Sequence, residues 1–119
     1  MSKYHSKKVK ANGVTYDSRK EYRRFCELSL LQRAGAITEL QRQVEFELIP
    51  AQREPDTVGV RGGVRKGKVI ERKCSYVADF VYYENGKMVV EDTKGFRTAD
   101  YKIKKKLMLW VHGIKIKET

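Results

Sequence analysis

Apolar and polar positions divide the chain into segments of different period. From Ser18 to about Ala34, the residues Glu21, Phe25, Leu28 and Leu31 or Gln32 fall on one stripe at helical spacing, and Gly35 ends the pattern. The period then shortens: Val44, Phe46 and Leu48 alternate with Gln43, Glu45 and Glu47, the pattern of a strand with one buried face. Between Pro50 and Lys73 the alternation collapses into Pro55, Gly59, Gly62, Gly63 and Gly67 among basic residues, which predicts a flexible loop or a protruding hairpin. Two β-rich runs follow, on either side of Asn85-Gly86, a pair that tolerates the positive φ of a type I′ turn. After Gly95, Thr98 can cap a second helix with Asp100 in its first turn and Ile103, Leu107, Trp110 and Val111 as its buried stripe. Gly113 stops that helix, and Ile114 to Lys117 reads as a last strand. Helix, three strands, helix, strand is the order of an α/β fold with a mixed sheet, its hairpin antiparallel and its last strand returned by a crossover helix.

The hairpin can be counted residue by residue. A two-residue loop pairs Glu84 with Lys87, Tyr83 with Met88, Tyr82 with Val89, Val81 with Val90 and Phe80 with Glu91, and then sets Asp79 opposite Asp92. Like charges so placed repel, and both lie in apolar runs where a carboxylate needs a partner. Asp92 and Lys94 share a face with Met88 and Val90, while Glu91 points the other way. Two carboxylates and a lysine on one patch suit a hard divalent cation with oxygen ligands. A bulge would instead put the two aspartates on opposite faces, where they would be solvated. Glu21 faces inward with its apolar stripe, but Ser18 and Glu21 also form a capping-box sequence in which the Glu bonds back to the helix start. Gln43 can approach the same patch or remain an exposed polar residue.

Charge then narrows the partners. The chain has 119 residues, 40% hydrophobic, with a net charge of +11. That suits a single domain over residues 1–119 with a modest core and a polyanionic partner. The residues before 18 form a basic arm, with a short hairpin expected at Asn12-Gly13. Basic residues cluster along that arm and the first helix (Lys20, Arg23), in the 50–73 segment (Arg65, Lys66, Lys68) and after the hairpin (Arg97, Lys102, Lys105). Neutralised phosphates and released counterions are what such clusters offer a nucleic acid. The stretch from Glu39 to Asp56 is mildly acidic. No apolar run is long enough to span a membrane and no signal sequence opens the chain, so a cytoplasmic protein is expected, in the host cell if the gene belongs to a phage. Cys26 and Cys74 are far apart, without zinc-site spacing, and read as reduced structural thiols.

The succession Glu21, Asp79, Asp92-Thr93-Lys94, with the phrases YVADF and VEDTKG, resembles the PD-(D/E)xK nuclease superfamily. Within it the chain looks like Holliday junction resolvases of the phage T7 endonuclease I type, and like a family of small phage and prophage proteins of unassigned function. The similarity spans about Tyr16 to Glu118, although few positions carry the chemistry. It departs from the motif at Ala78, where the superfamily's name has proline. The resemblance implies a restriction-endonuclease-like αβββαβ core, a mixed β-sheet flanked by helices. It implies Mg²⁺, with Mn²⁺ able to substitute, held by Asp79, Asp92 and the Thr93 backbone carbonyl, with Glu21 beside the metal as a further candidate ligand. Lys94 would orient the attacking water or stabilise charge at the phosphorus, and Gln43 would be accessory. The implied activity is DNA endonuclease cleavage of branched DNA in phage recombination or replication. The products would be 5′-phosphate and 3′-hydroxyl ends, cut by a homodimer because two strands are cut symmetrically. No small-molecule cofactor is called for. Two alternatives stay open: a general duplex or flap nuclease, and a non-catalytic DNA-binding protein on a nuclease fold.

Overall fold

A computed structural model describes residues 8–93 and 97–119. The chain begins with the expected small hairpin, β1 (Val9–Ala11) and β2 (Val14–Tyr16), turned at Asn12 and Gly13 with φ of 51° and 78°. Helix α1 (Arg19–Arg33) starts at Ser18, whose hydroxyl accepts the Glu21 N–H, and ends at Ala34 before Gly35, which takes φ 81°. Strand β3 (Thr38–Ile49) follows at once and starts five residues earlier than its alternating core suggests.

The main sheet is made by β3, β8 (Cys74–Glu84), β9 (Lys87–Asp92) and β10 (Lys117–Glu118), in the order β10-β9-β8-β3. β3, β8 and β9 are antiparallel neighbours, and β10 lies parallel to β9 after the crossover through α2 (Ala99–His112). The sheet is therefore mixed, as the element order implies. The hairpin register agrees pair for pair from Glu84/Lys87 to Phe80/Glu91. Thr98 caps α2, and Gly113 closes it in the left-handed conformation.

Two apolar clusters cover the two faces of the sheet. Leu28, Ile37, Phe80 and Tyr82 pack beneath α1, while Tyr76, Ala78, Val81, Val90, Tyr101, Met108 and Ile116 pack beneath α2. Strand alternation would put Ala78 and Phe80 on one face, yet they lie in opposite clusters. The same break occurs in β3, where Leu40 joins the α1 side and Val44 the α2 side. Gln43 stands between them at φ 52°, a backbone state uncommon outside glycine. Arg42/Phe80 and Val44/Ala78 are ladder partners, so Gln43 and Asp79 lie opposite each other where both strands change face.

The fold corrects two expectations. The buried positions of α2 are Tyr101 and Met108, whereas Ile103, Trp110 and Val111 are exposed, Trp110 at 87%. The helix is rotated because the Tyr101 ring lies beside Tyr76 and its hydroxyl reaches Glu118, a polar anchor that an apolar stripe does not register. The last strand is β10 at Lys117–Glu118 rather than Ile114 to Lys117, since it pairs only with Glu91 and Asp92; Ile116 is buried without being strand. Of its two expected forms, the 50–73 segment takes the hairpin: an arm of two nested antiparallel ribbons, β4 (Gln52–Arg53) with β7 (Val69–Glu71) and β5 (Thr57–Val58) with β6 (Val64–Arg65). It contributes to the 18.8 Å radius of gyration, where a compact chain of this length would have about 13.5 Å.

Candidate functional site

The face change in the sheet brings together residues from three elements. Glu21, in the first turn of α1, is 1% exposed and its Oε1 accepts from Gln43 Nε2 at 3.0 Å and from Arg42 Nη2 at 3.3 Å. Its other oxygen accepts the Asp17 N–H at 3.1 Å. Glu21 therefore faces inward, as its stripe implies, while its second oxygen braces the helix start at Asp17, one residue before the Ser18 cap that a capping box would engage. Gln43 Nε2 also lies 3.4 Å from Asp79 Oδ1, so one amide bridges two carboxylates. Gln43 is exposed as a residue although its amide makes both contacts.

Asp79 is 8% exposed and is held on its second oxygen by Thr93, whose N–H and hydroxyl donate at 2.8 and 2.9 Å. Thr93 itself is buried. Ladder pairing stops at Phe80/Glu91, one step short of Asp79 and Asp92, and Asp79 instead grips the residue after Asp92. Asp92 is fully buried, and its Oδ2 accepts the Tyr76 hydroxyl at 2.6 Å. Burial, with the Asp92 hydrogen bond next, drives the Tyr76 hydroxyl far above its ordinary pKa, so it stays a proton donor to that carboxylate. Lys94 lies outside the described residues.

Burial is also the main reason the Glu21 carboxyl titrates above its usual range, with the charge of Asp79 as the second cause. A carboxyl whose ionisation is opposed by burial and by a neighbouring negative charge can be relieved by a cation. The donors are hard oxygens, as a Mg²⁺ or Mn²⁺ site requires. Among the described residues, however, no three carboxylate, histidine or cysteine side chains converge as a metal-holding group. Glu21 and Asp79 form one linked pair, and Asp92 approaches from beside Tyr76.

Two ion pairs near the site carry no signal in the periodicity. Arg24 forks onto Glu91, with Nε to Oε2 at 2.7 Å and Nη2 to Oε1 at 2.9 Å, and the Tyr82 hydroxyl adds a third donor at 2.9 Å. Glu91 is fully buried, so this pair ties α1 to β9 across the α1-side core. Its only trace in the sequence is an acid within the apolar run Val89-Val90-Glu91. Arg42 is the second case. Its guanidinium lies over the Tyr16 ring, 4.1 Å from the centroid, while pairing with Glu21.

The predicted cationic residues fall into three places. Lys20 and Arg23 are exposed and, with Arg24, Thr93 and Thr119, line a cavity of about 240 Å³ beside the Asp79–Thr93 contact. Arg97 and Lys105 both engage Glu118, at 2.7 and 2.9 Å, with the Tyr101 hydroxyl at 2.8 Å. Arg97 and then Lys105 hold the Glu118 carboxyl down to about 2. Lys102 lines a second cavity, of about 450 Å³, over Leu109 and Ile116. Arg65, Lys66 and Lys68 are exposed on the arm, outside the four-stranded sheet that carries the carboxylates. Cys26 and Cys74 are half-buried free thiols. No helix among the described residues is long and apolar enough to cross a membrane.

A mixed four-stranded sheet, helices on its two faces and a pair of bridged carboxylates at the shared kink of β8 and the edge strand β3 define an α/β protein with an acidic site built into the sheet. The chain belongs to DUF1064, a family of proteins of unknown function whose model matches residues 1–117. No curated protein and no solved structure matches it.

Proposed function

We propose that this protein is a metal-dependent DNA endonuclease of the PD-(D/E)xK type that hydrolyses phosphodiesters of branched DNA, in phage recombination or replication. The observation that carries the reading is the Gln43 amide shared by Glu21 and Asp79, which places two poorly solvated carboxylates against each other at the kink of β3 and β8. A purely structural site has no need of such a pair, since burying like charges costs stability. The order αβββαβ and the mixed sheet support the same reading.

Asp79, Asp92 and the Thr93 carbonyl, with Glu21 linked to Asp79 through Gln43, would hold Mg²⁺ or Mn²⁺, the ion itself drawing Asp92 and the linked pair together. The bound ion would supply Lewis-acid activation of water and of the phosphoryl oxygen. The chain's own residues do the rest. Thr93 fixes the Asp79 rotamer through two donors, and Tyr76 does the same for Asp92. Gln43 keeps the Glu21 and Asp79 oxygens within reach of each other and can yield both. Lys20 and Arg23, at the edge of the Thr93 cavity, seat a backbone phosphate next to the carboxylates. Lys94, two residues beyond Asp92, is assigned the developing negative charge at phosphorus. Symmetric cutting of two strands calls for a homodimer.

Cleavage of labelled four-way junction, flap and linear duplex DNA, in Mg²⁺ or in EDTA, tests the reading with wild type, Asp79→Asn and Asp92→Ala. Paired Mg²⁺-dependent nicks at the junction, absent in both variants, are the expected result. Equal cutting of all substrates would make it a general nuclease. Cleavage by Asp92→Ala at the wild-type rate would overturn the site, and binding without cutting in any divalent metal would leave a DNA-binding protein on this fold.

A further inference from the structure

The arm carries an unexplained surface. Every residue from 49 to 73 is exposed except Gly67, so the two ribbons have no core of their own. Five large aliphatic side chains nonetheless lie on them: Val58, Val60, Val64, Val69 and Ile70, with Val60 entirely in solvent at the tip. Val58 and Val64 are ladder partners, side by side on one face just below Val60, and exposed apolar side chains on an element without a core mark a binding element.

The arm is also built rather than loose. Its tip is a three-residue loop, Val60-Arg61-Gly62, in which the Gly62 N–H donates to the Gly59 carbonyl at 2.9 Å, the Gly59 N–H donates to the Gly63 carbonyl at 2.7 Å, and Gly62 takes φ 82°. Its base is locked around Gly67, whose N–H donates to Asp56 Oδ1 at 3.0 Å and whose carbonyl accepts from Arg53 Nη1 at 3.1 Å. A Cβ at Gly67 would run into the Glu54 carbonyl oxygen, so the two ribbons are joined where only glycine fits.

Charge selects the occupant. From Thr57 to Lys68 the arm carries Arg61, Arg65, Lys66 and Lys68 and no acid; Glu54, Asp56 and Glu71 are confined to its base. A second copy of the chain, itself at +11, is a poor match for that tip, and a polyanion is a good one. The same stretch has no Asn, Gln, Asp or Glu, the side chains that complement Arg in reading base edges in the major groove. Gly59, Gly62 and Gly63 leave only Val60 and Arg61 projecting at the apex, a narrow profile for a groove about 6 Å wide and 7.5 Å deep.

We propose that the 50–73 arm is a DNA clamp whose valine apex lies in the minor groove of a duplex flank, against the deoxyribose walls, while Arg61, Arg65, Lys66 and Lys68 bind the phosphates on either side. The arm extends roughly 25–30 Å from Gln52 to Val60 at about 3.3 Å per residue. That reach sets the clamp on DNA away from the phosphate at the carboxylates. The inference deepens the DNA reading above and requires DNA binding, but it does not require cleavage.

Chemical probing of the full-length protein on long duplex and four-way junction DNA, in EDTA, tests it. Dimethyl sulfate methylates adenine N3 in the minor groove and guanine N7 in the major groove, so one reagent reports both. On the flank, adenine N3 is expected to be protected and guanine N7 to stay reactive. Val60→Asp should abolish the flank protection while protection near the junction centre persists. The triple variant Arg65→Ala/Lys66→Ala/Lys68→Ala should bind at least about tenfold more weakly and flatten the log–log salt slope by about 0.9 per lost phosphate contact. Protection of guanine N7 instead, or binding without any flank footprint, overturns the clamp. So does an arm variant that shifts the oligomeric state and leaves the footprint unchanged, because the arm would then grip a second copy. Failure of wild type to bind any DNA fells the DNA reading and the clamp together, whereas flank protection without Mg²⁺-dependent cleavage leaves the clamp standing and fells only the nuclease.

Discussion

Glu21 in the first helix and Asp79 in the central strand share one donor, the side-chain amide of Gln43, at 3.0 and 3.4 Å. Few arrangements hold two carboxylates so near each other with so little solvent. The consequences for stability and for activity have opposite signs.

Glu21→Gln separates them. The folded protein holds the Glu21 carboxyl above its ordinary value of 4.5, so the native state binds more protons than the unfolded chain over the interval above that value. Ionisation of Glu21 therefore weakens the fold, and its share of stability falls as pH rises through that interval. The glutamine variant should match or exceed wild-type stability at neutral pH in denaturant unfolding, and the difference should shrink toward pH 4. Its Mg²⁺-dependent cleavage should fall by about two orders of magnitude, ~2.7 kcal/mol of barrier. A variant that is both less stable and fully active would show that Glu21 only caps α1.

Arg24 and Glu91 are predicted to be indispensable to each other. Arg24→Met leaves the fully buried Glu91 without its partner and should cost about 3–5 kcal/mol in urea unfolding; Glu91→Leu should cost less, since Arg24 keeps Glu27. The double variant Arg24→Met/Glu91→Leu should recover most of that loss. A double-mutant cycle with no coupling would mean that the fork contributes nothing.

Tyr76→Phe deletes one oxygen from the contact with Asp92, 2.6 Å long. Loss of a buried hydrogen bond to a carboxylate should destabilise the protein by about 1.5–3 kcal/mol. Because Tyr76 orients Asp92 rather than meeting DNA, cleavage should drop by about tenfold while DNA affinity holds, which junction binding in EDTA will report.

Glu118 restrains two cations. Arg97 and Lys105 pull its carboxyl down to about 2 from 4.5, so the stability it adds is present above pH 4.5 and is lost as pH falls toward 2. Glu118→Gln should flatten acid unfolding across that interval. It should also release Arg97 and Lys105 for phosphates and steepen the log–log salt dependence of DNA binding by about 0.9 for each new contact. An unchanged salt slope would place both cations off the DNA path.

Much of this was legible because it is local. Asn85-Gly86 determines its own turn and hence the register from Glu84/Lys87 to Phe80/Glu91; Ser18 and Thr98 cap the two helices where the pattern begins, and Gly113 ends the second. These depend on positive φ, on side-chain oxygens at helix starts and on the two periods of buried residues, and each is complete within a few residues. Counting the same register onward sets Asp79 opposite Asp92, but the ladder stops one pair short and Asp79 reaches Thr93 instead; the helical period does turn Glu21 inward.

What the tertiary structure decided lies at places where distant segments constrain each other. The phase of α2 follows Tyr101 reaching Glu118, and Ile103 and Trp110 turn outward in consequence. The face change at Gln43 and Asp79 arises because two paired strands kink together, so that Gln43 bridges two carboxylates and Asp79 grips Thr93. The Arg24–Glu91 fork spans 67 residues of sequence. Periodicity reports which side of its own strand or helix a residue occupies, whereas a buried charge is stabilised by whichever partner the packed fold delivers, and that partner is set by the assembly of all the elements at once.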